Sequence, residues 1–289
     1  MKLGVPDESR AIQDLFERFF RTESNPARVR AAEPSGFDAK LWQRLVELGA
    51  PVMRVSAKAG GGGMSLFDAC LVMEQAGRRL ASVPLAETMV ALNMIDRLGS
   101  AAGAEWIRRA AEGAELVTLA LHESAPGRIQ LVPGAAAASA VLTYDGDEIA
   151  IVVPRAPINA PANLGDSAIG AFDPDAGERH VLGSGAHAAR CWAAGIEEWK
   201  ILTSAALVGL MKEALSMAAA YAVDRSAFGA PIGSYQGLAH PLADDVIDAD
   251  GAGLFLWRVL RAINDDAPDA GAQISLLWWW TARTATSCV

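Results

Sequence analysis

From Ile201 to Val223 the chain reads "ILTSAALVGLMKEALSMAAAYAV", apolar nearly all the way round a helical wheel. A helix with no polar face has to be covered by other elements, so this segment predicts a buried central helix with further helices built around it. Lys212 and Glu213 interrupt the run, which argues against a membrane span. Its 289 residues leave room for one large domain or two to three small ones. An apolar share of 52% against 20% charged supplies ample core material.

The flanking sequence supports a mainly α chain with a small β domain in the middle. Ile12, Leu15, Phe16, Phe19 and Phe20 recur at helical spacing and predict one apolar stripe. A second helix is expected over Asp38 to Leu48, with Leu41, Trp42, Leu45 and Leu48 inward and Gly49 as its stop. A third is expected near Leu66 to Arg79, and more helix from Leu85 to Ala111. Near Glu115 the period changes to two. "ELVTLALHE" and "RIQLVP" read as strands, and "AVLTYDGDEIAIVVP" as a hairpin turning at Asp145-Gly146. Proline and glycine then punctuate the chain as far as Gly185. Helical pattern returns at about Gly195, with a last long helix from Tyr235 to about Ile263. The expected division is 1–113 helical, 114–193 small β domain and 194–289 helical.

A net charge of −9 excludes a general nucleic-acid or anionic-membrane surface. Cys70, Cys191 and Cys288 lie far apart and suit a reducing compartment, so the expected setting is the cytoplasm. The opening "MKLGVPDESRAIQDLF" lacks a signal-peptide core. His122, His180, His187 and His240 show no metal-ligand spacing. "AGGGGMS", Ala59 to Ser65, offers backbone N–H groups for an anion but lacks a P-loop ending and does not follow a strand. It reads as a helix–helix connection. His122 and Glu123 in "LHES" read as a loop edge. The indoles of "LLWWW", Leu276 to Trp280, point in different directions on a helix and suit packing or an interface.

"RSAFG" followed by "YQGLAH" carries more chemistry. Arg225 closes the apolar helix, where it can satisfy the negative helix end. Its guanidinium fork also suits a pyrophosphate. Phe228 offers a flat ring and Gln236 both a donor and an acceptor for a heterocycle. Together the three read as a dinucleotide grip.

These residues resemble the acyl-CoA dehydrogenase family. The pattern runs Arg225, Phe228-Gly229, Pro231-Ile232, Gln236, His240 and Leu242-Ala243-Asp244. Gly209 and Ala214-Leu215 in the preceding helix are in register with the family's core helix. "LWQRLVELGA", Met64-Ser65 and "MEQAGRRLASVP", with Glu74, Gly77, Arg78 and Pro84, resemble its N-terminal helical domain. The resemblance implies an N-terminal helical domain, a small β domain and a C-terminal four-helix bundle, the last incomplete here. It implies FAD held at a subunit interface by Arg225, Phe228 and Gln236, and α,β-dehydrogenation of an acyl-CoA thioester. A homo- or hetero-oligomer follows, with an electron-transfer flavoprotein or similar acceptor.

The chain departs from the pattern in three places. His122 and Glu123 stand where the family's middle-domain signature is expected. The chain stops at Val289, before the family's usual glycine-rich loop and catalytic glutamate. The alternative location for the base, at the start of the core helix, holds Trp199, preceded by Glu197 and Glu198. Glu198 is the candidate base on this reading. The alternative function is a non-catalytic partner subunit that lends its FAD contacts to another chain.

Overall fold

A computed structural model describes residues 5–289. Two compact units divide the chain. One holds 22–69 and 81–199; the other holds the chain up to Arg21, 70–80 and 200–289.

In the first unit, α2 (Pro26–Ala32) and α3 (Ala39–Glu47) start on side-chain caps from Asn25 and Asp38. Leu41 and Leu45 on α3 are fully buried, and Gly49 at φ 70° ends the turn, as the apolar spacing predicts. Leu48 does not follow the expectation. It is 42% exposed because it lies just past the last helical residue and off the buried stripe. The expected helical stretch from Leu85 to Ala111 is two helices, α5 (Leu85–Leu98) and α6 (Ala101–Ala111). Gly99 at φ 67° ends the first. The Ser100 hydroxyl accepts from the Gly103 N–H to start the second.

The sheet of this unit has the order β1-β3-β4-β6, formed by β1 (Val117–Leu119), β3 (Ala140–Tyr144), β4 (Glu148–Pro154) and β6 (Gly177–Ser184). β1 and β3 are parallel and the other pairs antiparallel. The β3–β4 hairpin turns at Gly146, φ 99°, where the Asp145 carboxylate accepts from the Asp147 and Glu148 N–H groups. A second pair, β2 (Gln130–Val132) with β5 (Gly170–Phe172), packs Val132 and Phe172 into a cluster with Val141 and Val152. Strands β5 and β6 fall where only turns were expected.

Helix α7 (Gly185–Asp224) begins well before the expected position near Gly195. Gly195 is not a boundary. A Cβ there would stand 2.2 Å from the Met94 sulfur, so glycine lets α7 pack close against α5.

The second unit contains most of α1 (Asp7–Glu23), the end of α4 (Leu66–Arg78), the greater part of α7, then α8 (Gln236–Asn264) and α9 (Ala270–Cys288). On α1, Phe16 and Phe20 are buried one turn apart, whereas Leu15 is 43% exposed, since one residue along the helix rotates it off that face. Helices α4 and α7 cross with almost no gap. A Cβ on Gly77 would lie 1.9 Å from the Ala206 carbonyl oxygen, and one on Gly209 the same 1.9 Å from that of Glu74. Beside the crossing, Lys212 bonds the buried Glu74 at 2.9 Å.

Helix α7 is long and apolar enough to cross a bilayer by composition. Ile201, Leu202, Ala205, Val208 and Met211 are instead buried within the protein, and Lys212 and Glu213 make ion pairs, which marks a core helix. The expectation of all-round burial fails beyond Leu215. Met217, Tyr221 and Val223 are 67%, 62% and 69% exposed.

Candidate functional site

Two clusters of side chains stand out, one in each unit. In the helical unit, α7 ends at Asp224 and the chain enters a minimal hairpin of β7 (Ser226–Ala227) and β8 (Ala230–Pro231). Phe228 and Gly229 form its two-residue turn, both at positive φ (53° and 85°), as a primed hairpin turn requires. A phenylalanine in the left-handed region is uncommon and costs about 1–3 kcal/mol. Here it leaves the ring 99% exposed. The Tyr235 hydroxyl donates to the Ala227 carbonyl at 2.8 Å, and the Ile232 N–H donates to the Arg225 carbonyl, bracing the hairpin.

Arg225, Gln236 and His240 are exposed. Among the described residues, neither the Arg225 guanidinium nor the Gln236 amide bonds another side chain. Three groups at one tip are thus free to engage something outside this chain. A charged fork, a bare aromatic ring and a two-way amide fit the pyrophosphate, ring edge and heterocycle of a flavin dinucleotide.

The second cluster lies where α5 packs along the first part of α7. Glu198 is 4% exposed. Its Oε1 accepts from Arg54 Nε at 2.9 Å and Asn93 Nδ2 at 3.0 Å; its Oε2 accepts from Asn93 Nδ2 at 2.8 Å and Arg97 Nη2 at 3.2 Å. Arg54 also donates to the Met64 carbonyl, tying the glycine loop to the same hub. One residue on, Trp199 turns to another part of α5, and its indole N–H donates to Glu87 Oε1 at 2.9 Å. Burial pushes the Glu87 carboxyl up from its ordinary value, with the indole bond acting in the opposite sense. Glu87 is absent from the expectations. Its one sequence signal is an acid in the otherwise apolar run "PLAETMVAL".

The remaining motifs resolve differently. The "AGGGGMS" loop spends its N–H groups internally: Gly61 donates to Ser56, Gly62 to Val52, Gly63 to Val55 and Met64 to Met53. It is a packed connection and no anion cradle. His122 and Glu123 are exposed in the loop after β1. Of the three adjacent indoles on α9, Trp280 packs at 5.9 Å from Phe255, while Trp279 lies under Arg283 at 5.5 Å. They share no face. Among the described residues there is no cluster able to hold a metal ion.

Comparison with known proteins agrees with this geometry. The N-terminal domain of acyl-CoA dehydrogenases matches residues 6–114 and the C-terminal domain matches residues 192–289. The acyl-CoA dehydrogenase IpdE2 of Mycobacterium tuberculosis is 29% identical over 288 residues, covering 98% of this chain and 81% of that protein. A benzylmalonyl-CoA dehydrogenase of Aromatoleum aromaticum is 26% identical over 310 residues, covering 89% and 79%. Among solved structures, the steroid ACAD Tcur3481-Tcur3483 (G363A variant) superposes with a TM-score of 0.85 at 25% identity, covering 98% of this chain and 84% of that one. The ChsE4-ChsE5 complex from Mycobacterium tuberculosis gives 0.83 at 23% identity, covering 100% and 86%. This chain belongs to the acyl-CoA dehydrogenase family of FAD-dependent oxidoreductases.

Proposed function

We propose that the chain carries out α,β-dehydrogenation of an acyl-CoA thioester as part of an oligomer, with FAD gripped across a subunit boundary. The observation that carries this reading is the hairpin tip, where Arg225, Phe228 and Gln236 are exposed, the Phe228 ring touches only the edge of Tyr235, and the Arg225 and Gln236 side chains bond no other side chain among the described residues. FAD, when bound, supplies the acceptor for the hydride equivalent leaving the β-carbon. On this chain, Arg225 would hold the pyrophosphate, Phe228 would cover a ring edge and Gln236 would pair with a heterocycle. Division into 1–113, 114–193 and 194–289, residence in the cytoplasm and reoxidation by an electron-transfer flavoprotein or similar acceptor belong to the same reading. The three free cysteines are consistent with a reducing compartment.

Glu198, the expected base, enters this proposal as an anchor. Four donor contacts occupy its two oxygens and two arginines balance its charge, which fixes the rotation of α7 and turns Trp199 toward Glu87. That saturation also favours the second reading, a partner subunit that lends FAD contacts to a catalytic chain. The test is direct. Purified protein should be yellow, or turn yellow with FAD, and bleach anaerobically with an acyl-CoA. Activity from this chain alone rejects the partner-only reading; protein that stays colourless with FAD rejects the self-sufficient dehydrogenase and leaves the partner subunit, which co-expression with a catalytic chain then tests.

A further inference from the structure

Among the described residues, the half-buried and buried glutamates are neutralised by cations, with one exception. Glu74 pairs with Lys212 and Arg78, Glu198 with Arg54 and Arg97, and Glu213 with Arg78 and Arg79. Glu87 makes no ion pair among the described residues. Its partner is the neutral indole N–H of Trp199. Structure alone does not require that arrangement: a glutamine would accept the same hydrogen bond without burying a charge. A carboxylate kept partly desolvated and unneutralised matches what general-base catalysis needs, because cation pairing weakens a base and burial strengthens it. The upward shift of the Glu87 carboxyl has that sense.

We propose that Glu87 is the catalytic carboxylate that removes the α-proton of the acyl-CoA thioester, with Trp199 as its positioning residue. The inference rests on the dehydrogenase reading above. In the step, the α-carbon's C–H bond breaks and the proton passes to a Glu87 carboxylate oxygen. The electron pair becomes the α,β double bond, and the hydride lost from the β-carbon reduces the flavin. The hub at Glu198 supports the geometry. It pins α7 to Asn93 and Arg97 of α5, so that the next residue, Trp199, meets Glu87 nearer the start of α5.

The test compares wild type with Glu87→Gln, both loaded with FAD, using butyryl-CoA, glutaryl-CoA, benzylmalonyl-CoA and a steroid side-chain CoA thioester as probes. Glu87→Gln should keep the wild-type FAD content and slow anaerobic bleaching by about 10²–10⁴-fold. It should also slow exchange of the α-hydrogen for solvent deuterium, read by mass spectrometry. Without flavin, its melting temperature should equal or exceed that of wild type. Trp199→Phe should lower kcat by less and leave KM nearly unchanged, and the double variant should be no slower than Glu87→Gln alone. Bleaching of Glu87→Gln at the wild-type rate overturns the inference while leaving the dehydrogenase reading intact. A lowered melting temperature with rate loss in proportion to unfolding also overturns it, by making Glu87 structural. A wild type that no probe bleaches removes the dehydrogenase reading and this inference with it.

Discussion

Two glutamates on one seam illustrate how surroundings set a residue's task. Glu198 is 4% exposed and held by two arginines and an amide. Glu198→Gln leaves Arg54 and Arg97 facing each other without their shared counter-charge. Breaking a buried ion pair from one side costs roughly 3–5 kcal/mol, so urea unfolding should show a loss of that order. Glu87→Gln should act with the opposite sign. Burial raises the Glu87 carboxyl above its unfolded value, so the folded state binds that proton more tightly than the unfolded chain. Above the folded pKa the charge is a fixed penalty, which shrinks as pH falls toward the unfolded value. The stability gained by Glu87→Gln should therefore be greatest at pH values above the folded pKa and vanish in acid, below the unfolded value. Urea unfolding of both proteins at several pH values measures that difference, in which every other titrating group cancels.

At the scale of elements, the closest helix crossings rest on glycines whose neighbours differ in how far they can yield. A Cβ on Gly209 meets the Glu74 backbone carbonyl at 1.9 Å, and backbone cannot step aside without moving α4. On Gly195 it meets the Met94 side chain, at 2.2 Å from the sulfur, and a methionine can change rotamer. Both Gly→Ala changes recover about 1 kcal/mol of helix propensity. Gly195→Ala should then be nearly neutral, whereas Gly209→Ala should cost about 3 kcal/mol or more by overpacking. Thermal melts of the two variants check the ordering. Gly209 was legible in the sequence because the family pattern holds it in register, and the short helix α3 was legible from the apolar spacing of Leu41, Trp42 and Leu45. Strand β6 was not. It is an edge strand paired with β4 alone, only Leu182 of "GERHVLGS" is buried, and so no alternation appears. The start of α7 hid behind Gly185 and Gly195, residues that ordinarily mark boundaries. The Glu198 hub draws on Arg54, 144 residues away in sequence, and on Asn93 and Arg97, 105 and 101 residues away. No local pattern encodes such a meeting.

For the whole molecule the deciding question is whether Arg225 serves its own chain's active site or a neighbour's. Met217, Tyr221, Val223, Phe228 and Ile247 are all well exposed on α7, the hairpin and α8, apolar side chains of the kind that a subunit interface covers. The protein should therefore sediment as an oligomer of its 30.3 kDa chain. If Arg225 grips the pyrophosphate as proposed, Arg225→Ala removes a charge-assisted contact worth roughly 1.5–3 kcal/mol, and FAD should bind about 10–100-fold more weakly. Because the Arg225 side chain makes no bond among the described residues, the melting temperature without FAD should stay unchanged. Mixing two defective chains then locates the grip. Suppose Arg225→Ala and Glu87→Gln chains are unfolded together, refolded in equal amounts and assayed at an FAD concentration that fills wild-type sites but leaves Arg225→Ala sites almost empty. If each site takes Glu87 from one chain and Arg225 from its neighbour, a mixed dimer contains one intact site and one doubly defective site. Random pairing makes half the dimers mixed, and the pool should recover about a quarter of wild-type activity. If both residues of a site come from the same chain, every site keeps one defect and mixing restores nothing. Recovery near a quarter would show that the tip from Arg225 to Gln236 acts across the subunit boundary; no recovery would place it within its own chain.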